Sequence, residues 1–103
     1  MIKLIRDRIP ELYPNSKIKI IKENAEYFDS LKNKLLEEVN EFIEASSQNN
    51  DSHIVEEIAD ILEVIDAICK LKKYDTNLVQ DVKLKKKQER GGFEKRILLL
   101  EKN

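Results

Sequence analysis

Between Asn24 and Leu71 apolar residues return every three or four positions, and that rhythm leaves the chain little choice of fold. Phe28, Leu31, Leu35, Val39 and Phe42 recur at this spacing, which lines them along one side of an amphipathic helix. Ser46-Ser47-Gln48-Asn49-Asn50 reads as a loop, so the first long helix is predicted from about Asn24 to Ser46. A second, capped by Asp51 or Ser52, carries Ile54, Ile58, Ile61, Leu62, Ile65, Ile68 and Leu71. Two long helices joined by a short loop pack antiparallel, and their facing residues come from both.

The flanks are less constrained. A break at Tyr74-Asp75 precedes a third predicted helix from about Thr76 to Arg90, stopped by Gly91-Gly92. The stretch from Phe93 to Leu100 is open to helix or extended tail. Near the start, Pro10 disfavours helix at Ile9, and the alternation of Lys17, Lys19 and Lys22 with Ile18 and Ile20 fits a short extended stretch. Only two Gly and two Pro in 103 residues also favour long helices over a turn-rich β fold. The expected fold is all-α, one domain spanning 1–103, an antiparallel helical bundle. With 41% hydrophobic and 38% charged residues, each helix has few apolar side chains. A second copy, in a homodimer or homotetramer, is therefore expected to complete the core.

Charge narrows the function. A net charge of −1 argues against a dedicated nucleic-acid binder. The distribution is uneven, however: carboxylates crowd positions 37–66, while Lys83, Lys85, Lys86, Lys87, Arg90, Lys95 and Arg96 crowd the last quarter. A polyanion held through metal by one part and directly by the other suits that split. Cys69 is the only cysteine, which rules out an intrachain disulfide or a multi-thiolate zinc site, and its apolar neighbours make it a small core residue. There is no signal peptide and no stretch apolar enough to span a bilayer, so a cytoplasmic location is expected.

The chemistry is concentrated in two short runs, Glu37-Glu38-Val39-Asn40-Glu41 and Glu56-Glu57-Ile58-Ala59-Asp60. Glu38 and Glu41 are three apart, as are Glu57 and Asp60, so each pair lies on one helix face. In so charged a chain most acids are simply solvated. A helical wheel separates these from the rest. Glu57 falls inside the apolar sector of its helix, between Val64 and Ile68, and Asp60 lies at its edge. Glu38 borders the Leu31, Leu35 and Phe42 stripe, next to Glu41 and Lys34, whereas Glu37, Asn40 and Glu44 point away. An ionised carboxylate on an apolar face is costly unless paired or metal-bound. Lys34 can neutralise one acid but not four, and four acids without a cation would have to take up protons. Oxygen-only ligation suits Mg²⁺, or Mn²⁺.

These runs resemble the EExxE…ExxD signature of the all-α nucleotide pyrophosphohydrolases, the superfamily of MazG, the dimeric dUTPases and phosphoribosyl-ATP pyrophosphohydrolase. The opening Lys3-Leu4-Ile5-Arg6-Asp7-Arg8-Ile9-Pro10 and the closing Arg90-Gly91-Gly92-Phe93-Glu94-Lys95-Arg96-Ile97 look like its small MazG-like branch. The resemblance implies hydrolysis between the α- and β-phosphates of a nucleoside triphosphate, giving a nucleoside monophosphate and pyrophosphate, in clearing unwanted nucleotides. By motif position it implies Glu38, Glu41, Glu57 and Asp60 as metal ligands. Glu37, the first Glu of the motif, would orient water or serve a second metal. Glu37 and Glu38 are the catalytic candidates, and Lys34, Lys87 and Arg90 the phosphate-binding ones. The alternatives are phosphoribosyl-ATP hydrolysis in histidine synthesis, and a helical interaction module without activity.

Other residues have plainer readings. Arg6, Asp7 and Arg8 could reach the site from the N-terminus, although a surface ion pair is simpler. His53, the only histidine, reads as a surface residue without a partner acid. Tyr74 and Phe93 could stack on a base, but packing is their commoner use. The Lys83–Lys87 run lacks the interleaved aromatics of a nucleic-acid groove and reads as a solvated helix face.

Overall fold

The computed structural model describes residues 2–103. Its elements in order are α1 (Ile9–Leu12), α2 (Asn24–Ser47), α3 (Asp51–Leu71) and α4 (Leu78–Arg90), with no strand among the described residues. The chain divides into two compact units, residues up to Lys73 and Tyr74–Asn103.

The first unit is built on the α2–α3 hairpin. α2 starts after extended Glu23, whose carbonyl accepts from Tyr27 N at 3.0 Å. Its other end is closed by Asn49, held at φ 53°, in the left-handed region that Asn tolerates better than most residues. Asn49 N donates to Ser46 O at 3.3 Å and Asn50 N to Ala45 O at 3.5 Å. That pair of bonds is the Schellman pattern, which satisfies the last carbonyls of a helix. Asn50 then turns to the next helix, and its side chain accepts from His53 N at 3.1 Å. The cap of α3 is thus Asn50 rather than Asp51 or Ser52, because Asn49 alone suffices to end α2. The reversal is tight, and the chain returns antiparallel: Lys72 Nζ, just past α3, lies 4.5 Å from the ring of Phe28 near the start of α2.

Between the helices Leu31 and Ala45 of α2 and Val64 of α3 are buried, and Cys69 is half-buried. The apolar stripe of α3 is broader than α2 can cover. Ile58, expected in the core, is 44% exposed, and Val55 and Leu62 beside it and Leu36 and Ile43 on α2 are more exposed still. One helix laid against another shields a single stripe on each, so a second apolar face stays open on this hairpin.

The N-terminal flank departs from expectation in one place. Ile9 opens α1 despite Pro10, because Pro stands within the first two helical positions, where its missing N–H has no carbonyl to meet. Residues 17–23 carry no regular element. In the second unit, Asp75 Oδ1 accepts from Asn77 N at 2.9 Å, and this turn delays α4 to Leu78. Gly91 ends α4 at φ 83°, its N–H bonded to Lys87 O at 2.8 Å. Residues 93–103 form no helix, and no helix of the described residues is long and apolar enough to cross a membrane.

The capping assignment is testable by thermal unfolding. Asn50→Ala should cost about 1 kcal/mol and lower Tm by roughly 4–8 °C, while Ser52→Ala should leave it unchanged. Equal losses from both would contradict the cap.

Candidate metal centre

α2 and α3 face each other where each carries an acid on its inner side. Glu38 and Glu57 are both only 5% exposed, deeper than a carboxylate goes without compensation. Each uses one oxygen on a basic side chain of its own helix. Glu38 Oε1 lies 3.1 Å from Lys34 Nζ, one turn earlier on the same helix. Glu57 Oε1 lies 3.1 Å from His53 Nε2, likewise one turn earlier. The second oxygen of each, Glu38 Oε2 and Glu57 Oε2, is buried with no hydrogen-bond partner. Leaving a buried charged acceptor unsatisfied costs on the order of 1–3 kcal/mol or more.

Three further acids surround this pair. Glu38, Glu57 and Asp60 bring an oxygen each within 4.8 Å of one another, and so do Glu37, Glu38 and Glu41. Glu38 belongs to both groups and links them. Two full charges 4.8 Å apart repel by roughly 3–4 kcal/mol at an effective dielectric of about 20. Without a cation, protons must relieve the crowding. Burial, and then the neighbouring Glu38, pushes the Glu57 carboxyl up to about 7. Burial and the Glu38 charge also raise Glu41. Burial would raise Glu38 too, but the hydrogen bond from Glu57 and the Lys34 ammonium outweigh it and hold Glu38 below its ordinary value. Lys34 is opposed by burial, yet Glu38 and Glu37 raise it overall. In the metal-free chain the Glu57 carboxyl therefore keeps its proton to a higher pH than an ordinary glutamate does.

The donor set fits a hard divalent cation. It is all oxygen, it converges from two helices, and two of its oxygens are buried and bare. Among the described residues the charges available to offset it are few: Lys34 between Glu37 and Glu38, Lys3 3.6 Å from Glu37, and Arg6, whose Nη2 donates to Asp60 Oδ1 at 2.6 Å.

Placement differs from the sequence reading at several residues. Glu37 does not point away. It is half-buried beside Glu38 and Glu41, since Lys3 and Lys34 hold it inward. His53 does have a partner acid, Glu57; its position four residues earlier is the helical spacing that could have shown this. Lys3 was overlooked, and nothing local could have found it, because it meets Glu37 only through the fold. Of the three N-terminal candidates, Arg6 reaches the acids, Arg8 pairs with Glu11 at 3.1 Å, and Asp7 lines an open cleft with Tyr27, Asp66 and Ala67. Lys87 and Arg90 are exposed on α4, in the second unit. Tyr74 and Phe93 are exposed there as well.

No curated protein and no solved structure matches this chain. The family model of the MazG nucleotide pyrophosphohydrolase domain matches residues 26–92. That span takes in nearly all of α2, all of α3 and α4, and with them Glu37, Glu38, Glu41, Glu57 and Asp60. The chain belongs to the MazG nucleotide pyrophosphohydrolase domain family.

Proposed function

We propose that this chain is a Mg²⁺-dependent nucleotide pyrophosphohydrolase, with Mn²⁺ able to substitute, that cleaves a nucleoside triphosphate between its α- and β-phosphates and serves to clear unwanted nucleotides. The observation that carries the metal dependence is the pair of buried, unpartnered oxygens on Glu38 and Glu57, within a family whose domain is named for nucleotide pyrophosphate hydrolysis. Glu38, Glu41, Glu57 and Asp60 would hold the ion. Once bound, a divalent cation offsets phosphate charge and lowers the pKa of a coordinated water.

The chain's own groups supply the rest. Glu37 and Glu38 orient the attacking water and accept its proton. The water's oxygen joins phosphorus, the α–β anhydride bond breaks, and pyrophosphate leaves beside the nucleoside monophosphate. Lys34 sits one turn from Glu37 and Glu38 and stabilises negative charge on the phosphates. His53 holds Glu57 Oε1, which leaves Oε2 to face the other acids.

A homodimer or homotetramer completes this reading. Val55, Ile58 and Leu62 on α3 and Leu36 and Ile43 on α2 are exposed apolar side chains, at spacings that form one face per helix. A second copy is the occupant that a hairpin with so few buried residues needs. Light scattering in solution should give at least two chains per particle. A monomer at micromolar concentration would remove this part of the proposal.

Activity is tested by following pyrophosphate release from a panel of nucleotides. Some nucleotide should be turned over with Mg²⁺ or Mn²⁺ and none in EDTA, and Glu57→Gln should abolish turnover with almost unchanged helical content. Full activity in that variant would sink the assignment.

The raised Glu57 carboxyl adds a pH prediction for the metal-free chain. Its folded value, about 7, stands above the ordinary 4.5, so between those values the folded state binds more protons than the unfolded one. Stability should then fall as pH climbs through that window. Glu41 acts with the same sign; Glu38, which is lowered, acts with the opposite sign below 4.5, outside the window. In EDTA, Tm should be lower at pH 8 than at pH 5, and Mn²⁺ should raise it more at pH 8. A higher Tm at pH 8 without metal would contradict this account of the acids.

A further inference from the structure

Residues 2–8 belong to no helix, yet they meet both helices of the hairpin. Leu4 and Ile5 are half-buried, and cations on either side of them reach opposite walls of the acid cluster. Lys3 Nζ lies 3.6 Å from Glu37 Oε1 on α2. Arg6 Nη2 lies 2.6 Å from Asp60 Oδ1 on α3. The segment therefore crosses the cluster from one helix to the other, with a positive charge at each end.

Arg6 is poised rather than locked. Its side chain is 57% exposed, and a guanidinium has five N–H donors, of which the bond to Asp60 uses one. An ion pair this exposed is worth about 0–1 kcal/mol, so exchange of its partner is low in cost. Asp60 Oδ1 cannot serve a guanidinium and a divalent cation at full strength together. When a cation takes that oxygen, the guanidinium is left beside the site with its donors free, and a phosphate accepts such donors two at a time.

We propose that residues 2–8 form a cationic strap in which Arg6 holds Asp60 in the metal-free chain and passes to the phosphates of the nucleotide when a divalent cation takes Asp60, with Lys3 on Glu37 as the second cation. The strap rests on the metal-site reading above and adds to it a phosphate-binding group that competes with the metal until substrate arrives.

That competition gives Arg6→Gln two effects of opposite sign. Mn²⁺ binding to the nucleotide-free protein, measured by calorimetry, should tighten by about two- to fivefold, the fold-change equivalent to an exposed ion pair. The KM for the nucleotide should rise by roughly 10- to 100-fold, the change expected for a lost hydrogen bond to a charged group. Arg6→Lys keeps the charge, so its Mn²⁺ affinity should stay near wild type while KM rises less, and it reports on the strap should the Gln variant lose helix. Lys19→Gln, which removes a cation paired with Glu26, should change neither quantity. Unchanged KM in Arg6→Gln, or Mn²⁺ binding that is unchanged or weaker, overturns the strap even if the wild-type protein binds Mn²⁺ and releases pyrophosphate. A wild-type protein that does neither overturns the metal-site reading itself.

Discussion

Two carboxylates that α2 and α3 push together out of water dominate the organisation of the first unit. Glu38 and Glu57 each give one oxygen to a basic group on the preceding turn of their own helix and leave the other buried without a hydrogen-bond partner. A side chain that only stabilised the hairpin would be better replaced by an apolar one, since a buried ion pair contributes little net stability. Here the cost is carried at the centre of a hairpin that has few buried apolar residues to offset it. The bare oxygens make sense as ligands that wait for a charge the chain does not itself supply.

The hairpin's local chemistry exists to hold that geometry. Asn49 closes α2 and Asn50 opens α3 within three residues, which fixes the register at which the helices face each other. In that register Glu38 comes level with Glu57 and Asp60, and Glu41 falls one turn along from Glu38. Lys34 and His53 repeat one device on the two helices, a basic group four residues before a buried acid. Each orients its acid by occupying a single oxygen. The N-terminal segment closes the cluster on its more exposed side, where Glu37 and Asp60 meet Lys3 and Arg6.

Much of this was legible because helical periodicity is strong. The bounds of α2 and α3 follow from apolar spacing, and the wheel position of Glu57 foretold its burial. What escaped was either shared between neighbours or distant in the chain. The cap fell on Asn50 because Asn49 had already ended the preceding helix, a division of labour that composition alone does not show. Ile58 belongs to the right sector, yet one partner helix cannot cover a stripe that wide. Glu37 looked outward on an isolated wheel, yet Lys34 on its own helix and Lys3, brought in by the fold, both pair with it. The contact from Arg6 to Asp60 spans 54 positions, and no local pattern reports it.

The central claim is that Glu38 and Glu57 share a divalent cation through the oxygens now bare. Crystals grown at pH 8 with Mn²⁺, with data collected at the manganese edge, test it directly. The account predicts an anomalous peak between α2 and α3, within coordination reach of both Glu38 Oε2 and Glu57 Oε2. Those oxygens sharing a proton, with no peak between them at saturating Mn²⁺, would contradict it.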